Sequence, residues 1–177
     1  LPAFGFDLSA DLLASAWRRP ACRDRLVRCD MRSPALGNGW GAVLALFTAF
    51  GYFDDEGNAA CLAGWARLLA PDGWLVLDLP DLDEVNASLV PRSERSTPCG
   101  RLVEERRLVG RRVEKKVTIE SSGKMPYVYQ ESVRLYDPHE IASLAQRCGL
   151  SVETRWDSLR CEKSDDQRHV YWLTRRF

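Results

Sequence analysis

The feature that most constrains the fold is a pair of uninterrupted apolar segments, GAVLALFTAF (41–50) and WLVLDLP (74–80). Apolar side chains along a whole strand indicate that the strand is covered on both faces. A segment with helical periodicity, NAACLAGWARLLA (58–70), lies between them. Residues 3–31 show the same pattern on a smaller scale, as a strand, a helix and a second strand. This alternation predicts an α/β fold with a parallel, doubly wound, Rossmann-like sheet.

The middle of the chain has a different pattern. Three extended segments, RLVEERRLVG, RRVEKKVTIE and PYVYQESVRLY, are joined by Gly110 and by SSGK. They predict an inserted three-stranded antiparallel meander at 101–135. A helix capped by Asp137 follows, and the last two apolar segments are too close together for a crossover helix, which predicts an antiparallel terminal hairpin. The expected division is an α/β core at 1–100, the insertion at 101–135, and a helix and hairpin at 136–177 that complete the core.

Composition limits the partners and the location that we expect. The 177 residues include 25 basic and 25 acidic side chains, so net charge gives no argument for a nucleic-acid or membrane partner. No apolar run approaches the roughly 20 residues of a membrane span. The six cysteines form no C-x-x-C pair and lie far from the two histidines, so no metal site is expected. We interpret Cys29, Cys61 and Cys148 as small core residues in a reducing compartment and expect a cytoplasmic protein.

Acidic residues follow several of the predicted strands. Ligands of open α/β sheets bind outside the carboxyl ends of the strands, so Asp7 and Asp30, which end the first and second strands, are candidates. Asp7 could accept from two ribose hydroxyls, or could be a surface acid near a helix N-terminus. Asp30 could accept from an adenine amine while Met31 packs on the purine, or the two could be a loop acid and a core methionine. Asp78 and Asp81 flank Pro80 after the fourth strand and could face a substrate mouth, but we interpret them as solvated loop residues.

The segment FTAFGY follows the third strand of the predicted sheet. Phe47, Phe50 and Tyr52 could wall a pocket, with Thr48 and the Tyr52 hydroxyl as its polar groups. Gly51 would let the backbone approach a ligand closely. The alternative interpretation is aromatic core packing beneath a loop.

Taken in order, these elements resemble class I S-adenosylmethionine-dependent methyltransferases. The likeness rests on GFDLSADLLASA, VRCDMRSP, VLALFTAFGYF and LLAPDGWLVLDLP, and it covers essentially the whole chain. It implies S-adenosylmethionine as cofactor and Tyr52 as a candidate catalytic residue at the mouth where the methyl group is transferred. By the same resemblance, Asp7 would hold the ribose. Leu8, Asp30 and Met31 would contact the adenine. Leu46, Phe47 and Thr48 would lie along the methionyl arm.

The inserted meander is similar to the insertion of small-molecule N-methyltransferases, including those that act on nucleotide-linked amino sugars. This implies a small-molecule methyl acceptor and a meander that serves as a lid, an acceptor region or a homodimer contact. Two features depart from the family pattern: no D-x-G-x-G-x-G turn occurs, and WGAV, with Gly41, stands where an acidic residue usually opens the fourth strand. We therefore expect GFDLS to be the family's second strand, with the first strand and the Gly-rich turn absent from these 177 residues. We also expect this piece alone to bind cofactor weakly and to be inactive.

Two other functions remain open on the sequence. A nicotinamide-dependent oxidoreductase also binds ribose through acidic strand ends, although the LLAPDG turn and the reversed terminal hairpin argue against it. A non-catalytic domain that keeps the methyltransferase fold is the other.

Methyl transfer from a sulfonium requires mainly alignment and exclusion of water, and an amine acceptor must be neutral, which Tyr52 or a carboxylate could assist.

Overall fold

The structure, a computed structural model, describes residues 2–161 and 168–175. Most of the polar link predicted between the last two strands, 162–167, lies outside these ranges. The described elements follow one another as β1 (Gly5–Asp7), α1 (Ala10–Trp17), β2 (Leu26–Arg28), β3 (Trp40–Ala45), α2 (Asp55–Leu68), β4 (Leu69–Pro80), α3 (Leu82–Ser88), β5 (Arg92–Thr97), β6 (Gly100–Val109), β7 (Arg112–Glu120), β8 (Tyr127–Arg134), α4 (Pro138–Arg147), β9 (Leu150–Trp156) and β10 (Arg168–Arg175).

The central sheet has the strand order β3-β4-β10-β9. Strands β3 and β4 are parallel, and β10 runs antiparallel to both β4 and β9, so the predicted antiparallel terminal hairpin is confirmed. The predicted turn at 71–73 lies inside β4, where the register shifts between Trp40, which pairs with Leu69, and Ala42, which pairs with Trp74. A Cβ on Gly73 would lie 2.6 Å from the carbonyl oxygen of Trp40, so only glycine fits this irregularity.

Strands β1 and β2 are also parallel, but they form a separate two-stranded sheet. Within the described ranges, no strand pairs with the second edge of β1 or with the outer edge of β3. This arrangement is compatible with the expectation that a strand between them is absent from these residues. Large apolar side chains on the adjoining elements are exposed, namely Phe4, Leu8, Leu12, Trp17, Leu44 and Phe47.

The main core lies between the central sheet and helices α2 and α4. It contains Leu62 and Trp65 of α2, Leu75 of β4, Ile141 of α4 and Tyr171 of β10, each at most 2% exposed. Full burial of one such side chain stabilises a fold by about 1.5–3 kcal/mol relative to exposure. Because α2 follows β3 directly and packs on β4, it fixes the β3–α2 loop that carries the aromatic segment.

The cysteine interpretation holds in part. Cys61 is fully buried in this core, and the half-buried Cys148 packs against it. Cys29 is half-buried and lies outside the core cluster. Burial raises the pKa of the Cys61 thiol to about 12, so this thiol stays protonated and inert.

Helix α4 begins as the sequence predicts. The Asp137 carboxylate accepts from the Glu140 backbone N–H at 2.8 Å, the Glu140 carboxylate accepts from the Asp137 N–H at 3.0 Å, and Pro138 takes the first turn. This is a complete capping box, which satisfies two of the N–H groups that a helix start leaves unpaired. The helix thereby fixes the entry to β9 and the hairpin.

The inserted sheet has four strands, not the three predicted, in the order β5-β6-β7-β8 with all pairs antiparallel. Strands β6, β7 and β8 are the three predicted segments. The additional strand β5, RSERST, places the start of the insertion at Arg92 instead of 101. Its sequence has no Val, Ile or aromatic residue, so the pattern that indicated the other three strands is absent from it.

Candidate functional site

The candidate residues follow the carboxyl ends of the parallel strands. Asp7 ends β1, Asp30 follows β2, and Phe47 and Thr48 follow β3. Asp78 lies near the carboxyl end of β4, the strand that pairs with β3. Different hydrogen bonds hold each of these side chains or backbone segments, and they determine which atoms remain available to a ligand.

Asp7 is half-buried and caps the turn into α1. Its Oδ1 accepts from the Ser9 backbone N–H at 2.8 Å, while the Ser9 hydroxyl accepts from the N–H of Leu12. The carbonyl oxygen of Leu8 accepts from Nε of Arg28 at 2.9 Å, which fixes the backbone between the two caps. The Leu8 side chain is 61% exposed. The β1–α1 turn thus presents a rigid carboxylate beside an uncovered apolar side chain.

Asp30 is bound by Arg32 of its own loop. Nη2 of Arg32 donates to Oδ2 at 2.6 Å, Nε donates at 3.1 Å, and the Arg32 backbone N–H donates to Oδ1 at 2.9 Å. These bonds lower the pKa of the Asp30 carboxyl from 3.8 to about 2. The carboxylate is therefore ionised and oriented at neutral pH, but a ligand amine would have to share it with Arg32.

The side chain of Met31 packs against the main core. Its carbonyl oxygen accepts from Nε1 of Trp65 at 3.0 Å, which anchors the β2 loop to helix α2. Contact of Met31 with an adenine stays a prediction. Leu46 is half-buried and lies between β3 and the turn at Phe47. Its contact with the methionyl arm also stays a prediction.

Asp78 corrects the sequence interpretation, because it is completely buried and not a solvated loop residue. Its Oδ2 accepts from the Phe47 backbone N–H at 2.7 Å, and its carbonyl oxygen accepts from the Thr48 N–H at 3.0 Å. Arg168 of β10 donates from Nε to Oδ1 at 2.5 Å and from Nη2 to the Thr48 hydroxyl at 3.0 Å. The ion pair between Asp78 of β4 and Arg168 of β10 is therefore bonded to residues 47–48, which follow β3.

Asp81 is also ordered. It caps α3, accepting from the backbone N–H groups of Asp83 and Glu84, and its carboxylate lies 2.9 Å from Nε2 of His169. The sequence interpreted Asp81 as a solvated loop residue, and the structure shows it as the N-cap of a short helix. The Asp81 cap was readable, since an aspartate followed by acidic residues in the next turn is typical of a helix start.

Gly51 approaches protein backbone, not a ligand. It has φ +105°, its carbonyl oxygen accepts from the Arg134 N–H at 2.8 Å, and a Cβ there would lie 2.7 Å from the Arg134 carbonyl oxygen. Arg112 of β7 donates to the carbonyl oxygens of Gly51 and Phe53 at 3.3 and 2.9 Å. The residues on either side of Tyr52 are thus bonded to the inserted sheet.

Tyr52 itself is 41% exposed, whereas Phe50 is 1% exposed and packs edge-on against Trp65 in the core. Phe50, which was predicted as part of the pocket wall, therefore belongs to the core. Burial, reinforced by the nearby carboxylate of Glu131, raises the pKa of the Tyr52 phenol above 10.0. The phenol keeps its proton at neutral pH, so it can form hydrogen bonds but does not act as a base there.

The structure offers no cluster of three or more His, Cys, Asp or Glu side chains within 2–161 and 168–175 that could hold a metal ion. None of the helices in the described part of the chain is long and apolar enough to cross a membrane.

No family model matches the chain, and no curated protein matches it in sequence. Solved structures match it in fold. An S-adenosylmethionine-dependent methyltransferase from Clostridium acetobutylicum superposes with a TM-score of 0.83 at 13% identity, covering 97% of this chain and 74% of that one. This chain has the methyltransferase fold.

Two other structures with the methyltransferase fold carry more specific names. One is a sugar N-methyltransferase from Streptoalloteichus, with a TM-score of 0.74 at 18% identity over 99% of this chain and 71% of that one. The other is an amino pentose methyltransferase with bound S-adenosylmethionine from Micromonospora echinaspora, with a TM-score of 0.69 at 22% identity over 99% and 75%. The matches span nearly all of this chain, so they include the inserted sheet as well as the core.

Proposed function

We propose that the protein transfers a methyl group from S-adenosylmethionine to a small-molecule acceptor. The observation that carries this proposal is the surface at the carboxyl ends of β1 and β3. At the end of β1, the carboxylate of Asp7 is fixed by Ser9 and is followed by Leu8, which is 61% exposed; after β3, Phe47 is 78% exposed. Exposed apolar side chains next to convergent polar groups are typical of ligand sites, and in this fold they occupy the edge where ligands bind.

The residues of this edge suit S-adenosylmethionine. Within the described residues, the Asp7 carboxylate has one oxygen engaged, by Ser9, and its second oxygen remains to accept from a ribose hydroxyl. Leu8 and Phe47 supply apolar surface for the adenine and the carbon chain of the methionyl arm, and Thr48 supplies a hydroxyl. When bound, the cofactor supplies a methyl group on a positively charged sulfur, which is already reactive toward an amine. The protein then needs mainly to orient the two reactants and exclude water.

Tyr52 is proposed to contact the acceptor. The phenol oxygen can accept a hydrogen bond from the N–H of a neutral amine and so orient the nitrogen lone pair, while the raised pKa keeps the phenol protonated. The bonds from Arg112 and Arg134 to the backbone around Tyr52 hold it at the junction of the core and the inserted sheet. An acceptor that contacts Tyr52 would therefore lie between the core and the inserted sheet.

The inserted sheet is proposed to contribute the acceptor region. It carries a groove of about 570 Å³ whose lining is mostly charged: Glu105, Arg106, Arg107, Glu114, Lys115, Lys116, Gln130, Glu131 and Ser132. Lys115 and Glu131, the charged groups that influence Tyr52, form an ion pair at 2.7 Å in this lining. A polar, hydrogen-bonding small molecule fits such a surface, and the likeness to sugar N-methyltransferases supports an amine on a hydroxylated ring.

A homodimer through the inserted sheet is a further part of this proposal. Strand β8 is an edge strand, and Tyr127, Val128 and Tyr129 at its start are 65%, 47% and 37% exposed. An edge with exposed apolar side chains invites pairing with another strand.

The methyl-transfer proposal is tested with the whole encoded protein, including whatever residues its gene adds to these 177. Transfer of a labelled methyl group from S-adenosylmethionine to a panel of amino sugars is measured for the wild type and for Y52F. We expect transfer by the wild type and a rate lower by about tenfold for Y52F, the loss typical of one well-placed polar contact. Absence of transfer to any amine, with intact cofactor binding, would argue for a non-catalytic domain.

A further inference from the structure

Phe47 and Thr48, in the loop after β3, both have left-handed backbone conformations, with φ +55° and +65°. Non-glycine residues rarely adopt this region, and a pair of them persists only where surrounding contacts hold it in place. Neither residue packs in the main core, and Phe47 is 78% exposed. The conformation must therefore be imposed by hydrogen bonds.

Those bonds come from Asp78 and Arg168. Both backbone N–H groups of the turn donate to Asp78, one to its carboxylate and one to its carbonyl oxygen. Arg168 completes the arrangement from the other side: its Nε binds the second carboxylate oxygen, and its Nη2 reaches both the Thr48 hydroxyl and the Asp78 carbonyl oxygen. The Asp78 side chain is 0% exposed and that of Arg168 is 29% exposed, so the pair works largely away from water.

The bond from Arg168 to Thr48 has a chemical consequence. A hydroxyl has one hydrogen to donate, and here its oxygen already accepts from a guanidinium that has no acceptor capacity. No residue in 2–161 or 168–175 accepts the Thr48 hydrogen, so among these residues it is available to donate to a further group. The turn presents this donor next to the uncovered ring of Phe47, a combination suited to a short chain whose methylene groups can pack on the ring and whose end carries a carboxylate, as the end of an amino acid does beside its ammonium.

We propose that Asp78 and Arg168 are positioning residues for the methionyl arm of the cofactor, acting through the Phe47–Thr48 turn. The inference rests on the proposed function, and it assigns a role to the last strand of the chain and to an aspartate that the sequence suggested was solvated. Lysine at 168 would keep the positive charge beside Asp78 but could not bind the carboxylate, the carbonyl and the hydroxyl together as the planar guanidinium does.

The test compares two ligands by calorimetry with the whole encoded protein. S-adenosylhomocysteine contains the amino-acid arm, and 5′-methylthioadenosine lacks it. For R168K we expect the affinity for S-adenosylhomocysteine to fall about tenfold or more, with 5′-methylthioadenosine affinity unchanged, since a hydrogen bond to a charged group is lost only for the first ligand. R175K, at the opposite end of the same strand, is the matched control and should bind both ligands as the wild type does.

T48V and the double variant complete the test. We expect T48V, like R168K, to lower the affinity for S-adenosylhomocysteine and not that for 5′-methylthioadenosine. The double variant T48V/R168K should bind S-adenosylhomocysteine only a little more weakly than T48V does, because Arg168 acts through Thr48. Equal weakening of both ligands by R168K, or additive effects in the double variant, would show that the pair only supports the fold and would overturn the proposal. Failure of the wild type to bind either ligand would instead overturn the proposed function on which it rests.

Discussion

Arg168 forms an ion pair with the buried carboxylate of Asp78, 90 positions earlier in the chain. Their strands are antiparallel neighbours in which Asp78 pairs with Val170 and Arg168 pairs with Pro80. The ion pair therefore joins the same two strands diagonally, at the end of the sheet where the candidate site lies. The ion pair stabilises the fold, because it compensates a charge that has no access to water. It also holds the turn after β3 in its conformation.

Removing the guanidinium should destabilise the fold strongly. R168A leaves the Asp78 carboxylate buried without a cation, so we expect a loss of about 3–5 kcal/mol in the free energy of unfolding, measured by urea denaturation. R175A, which removes an arginine from the exposed end of the same strand, should cost less than about 1 kcal/mol. The double variant D78A/R168A should be less destabilised than the sum of the two single variants, because each partner alone is the costly state. Additive losses would contradict this account.

Gly51 is expected to tolerate no side chain. In G51A a Cβ would lie 2.7 Å from the Arg134 carbonyl oxygen at a φ of +105°. Gly39 is the matched control, because its φ is +94° but a Cβ added there would have no atom within 4 Å. G39A should lose about 1–3 kcal/mol from backbone strain alone, and G51A should lose at least about 1 kcal/mol more from the contact. Equal melting temperatures for the two variants would contradict the close approach of the loop to the inserted sheet.

The Asp30–Arg32 pair predicts a specific pH dependence. Because the folded-state pKa of Asp30 is lowered from 3.8 to about 2, its contribution to stability is present above pH 3.8 and is lost as the pH falls toward 2. Carboxyl NMR titration should give a midpoint of about 2 for Asp30 in the wild type. In R32Q the midpoint should move up toward 3.8, with the fold retained. A wild-type midpoint near the ordinary value would show that the pair does not persist in solution.

Thiol reactivity should follow burial. The Cys61 pKa of about 12 leaves almost no thiolate at pH 8, and its side chain is fully buried. Cys99 and Cys161 are exposed. Alkylation at pH 8 followed by mass spectrometry should label these two within minutes and leave Cys61 unmodified until the protein unfolds. Labelling of Cys61 at a similar rate in the folded protein would contradict its place in the core.

The parts of the fold that the sequence predicted are those determined by local pattern. The apolar strands, the capping box at Asp137 and the hairpin-forming segments of the inserted sheet can each be recognised within a few residues. Strand β5 escaped prediction because its side chains are polar and its partner β6 supplies the pairing. Helix α3 is only seven residues long, too short for periodicity to show.

The site was less predictable because its key contacts are long-range. Asp78 lies in the apolar segment WLVLDLP, where a charge signals a buried partner, but nothing local identifies Arg168 as that partner. Gly51 was predicted to let the backbone approach a ligand, but the group that approaches it is the Arg134 backbone, because the inserted sheet folds back onto this loop. The Asp30–Arg32 bond is the exception: its partners are two residues apart and could have been expected from the sequence alone.

The weak binding expected of these 177 residues in isolation stays a prediction, and it has a physical basis in the structure. Strands β1 and β3, whose carboxyl ends carry Asp7 and precede Phe47, each have an edge that no described strand covers. The isolated chain should therefore bind S-adenosylhomocysteine more weakly than the whole encoded protein does. Equal affinities in calorimetry would show that these residues already contain the complete site.

The most direct test of the central claim is a calorimetric comparison of S-adenosylhomocysteine with NAD⁺, using the whole encoded protein and its D7N variant. The account predicts saturable binding of S-adenosylhomocysteine, no measurable binding of NAD⁺, and weakening of the former by about tenfold in D7N through loss of a charged acceptor for the ribose. Binding of NAD⁺ in preference to S-adenosylhomocysteine, or binding of neither, would contradict it.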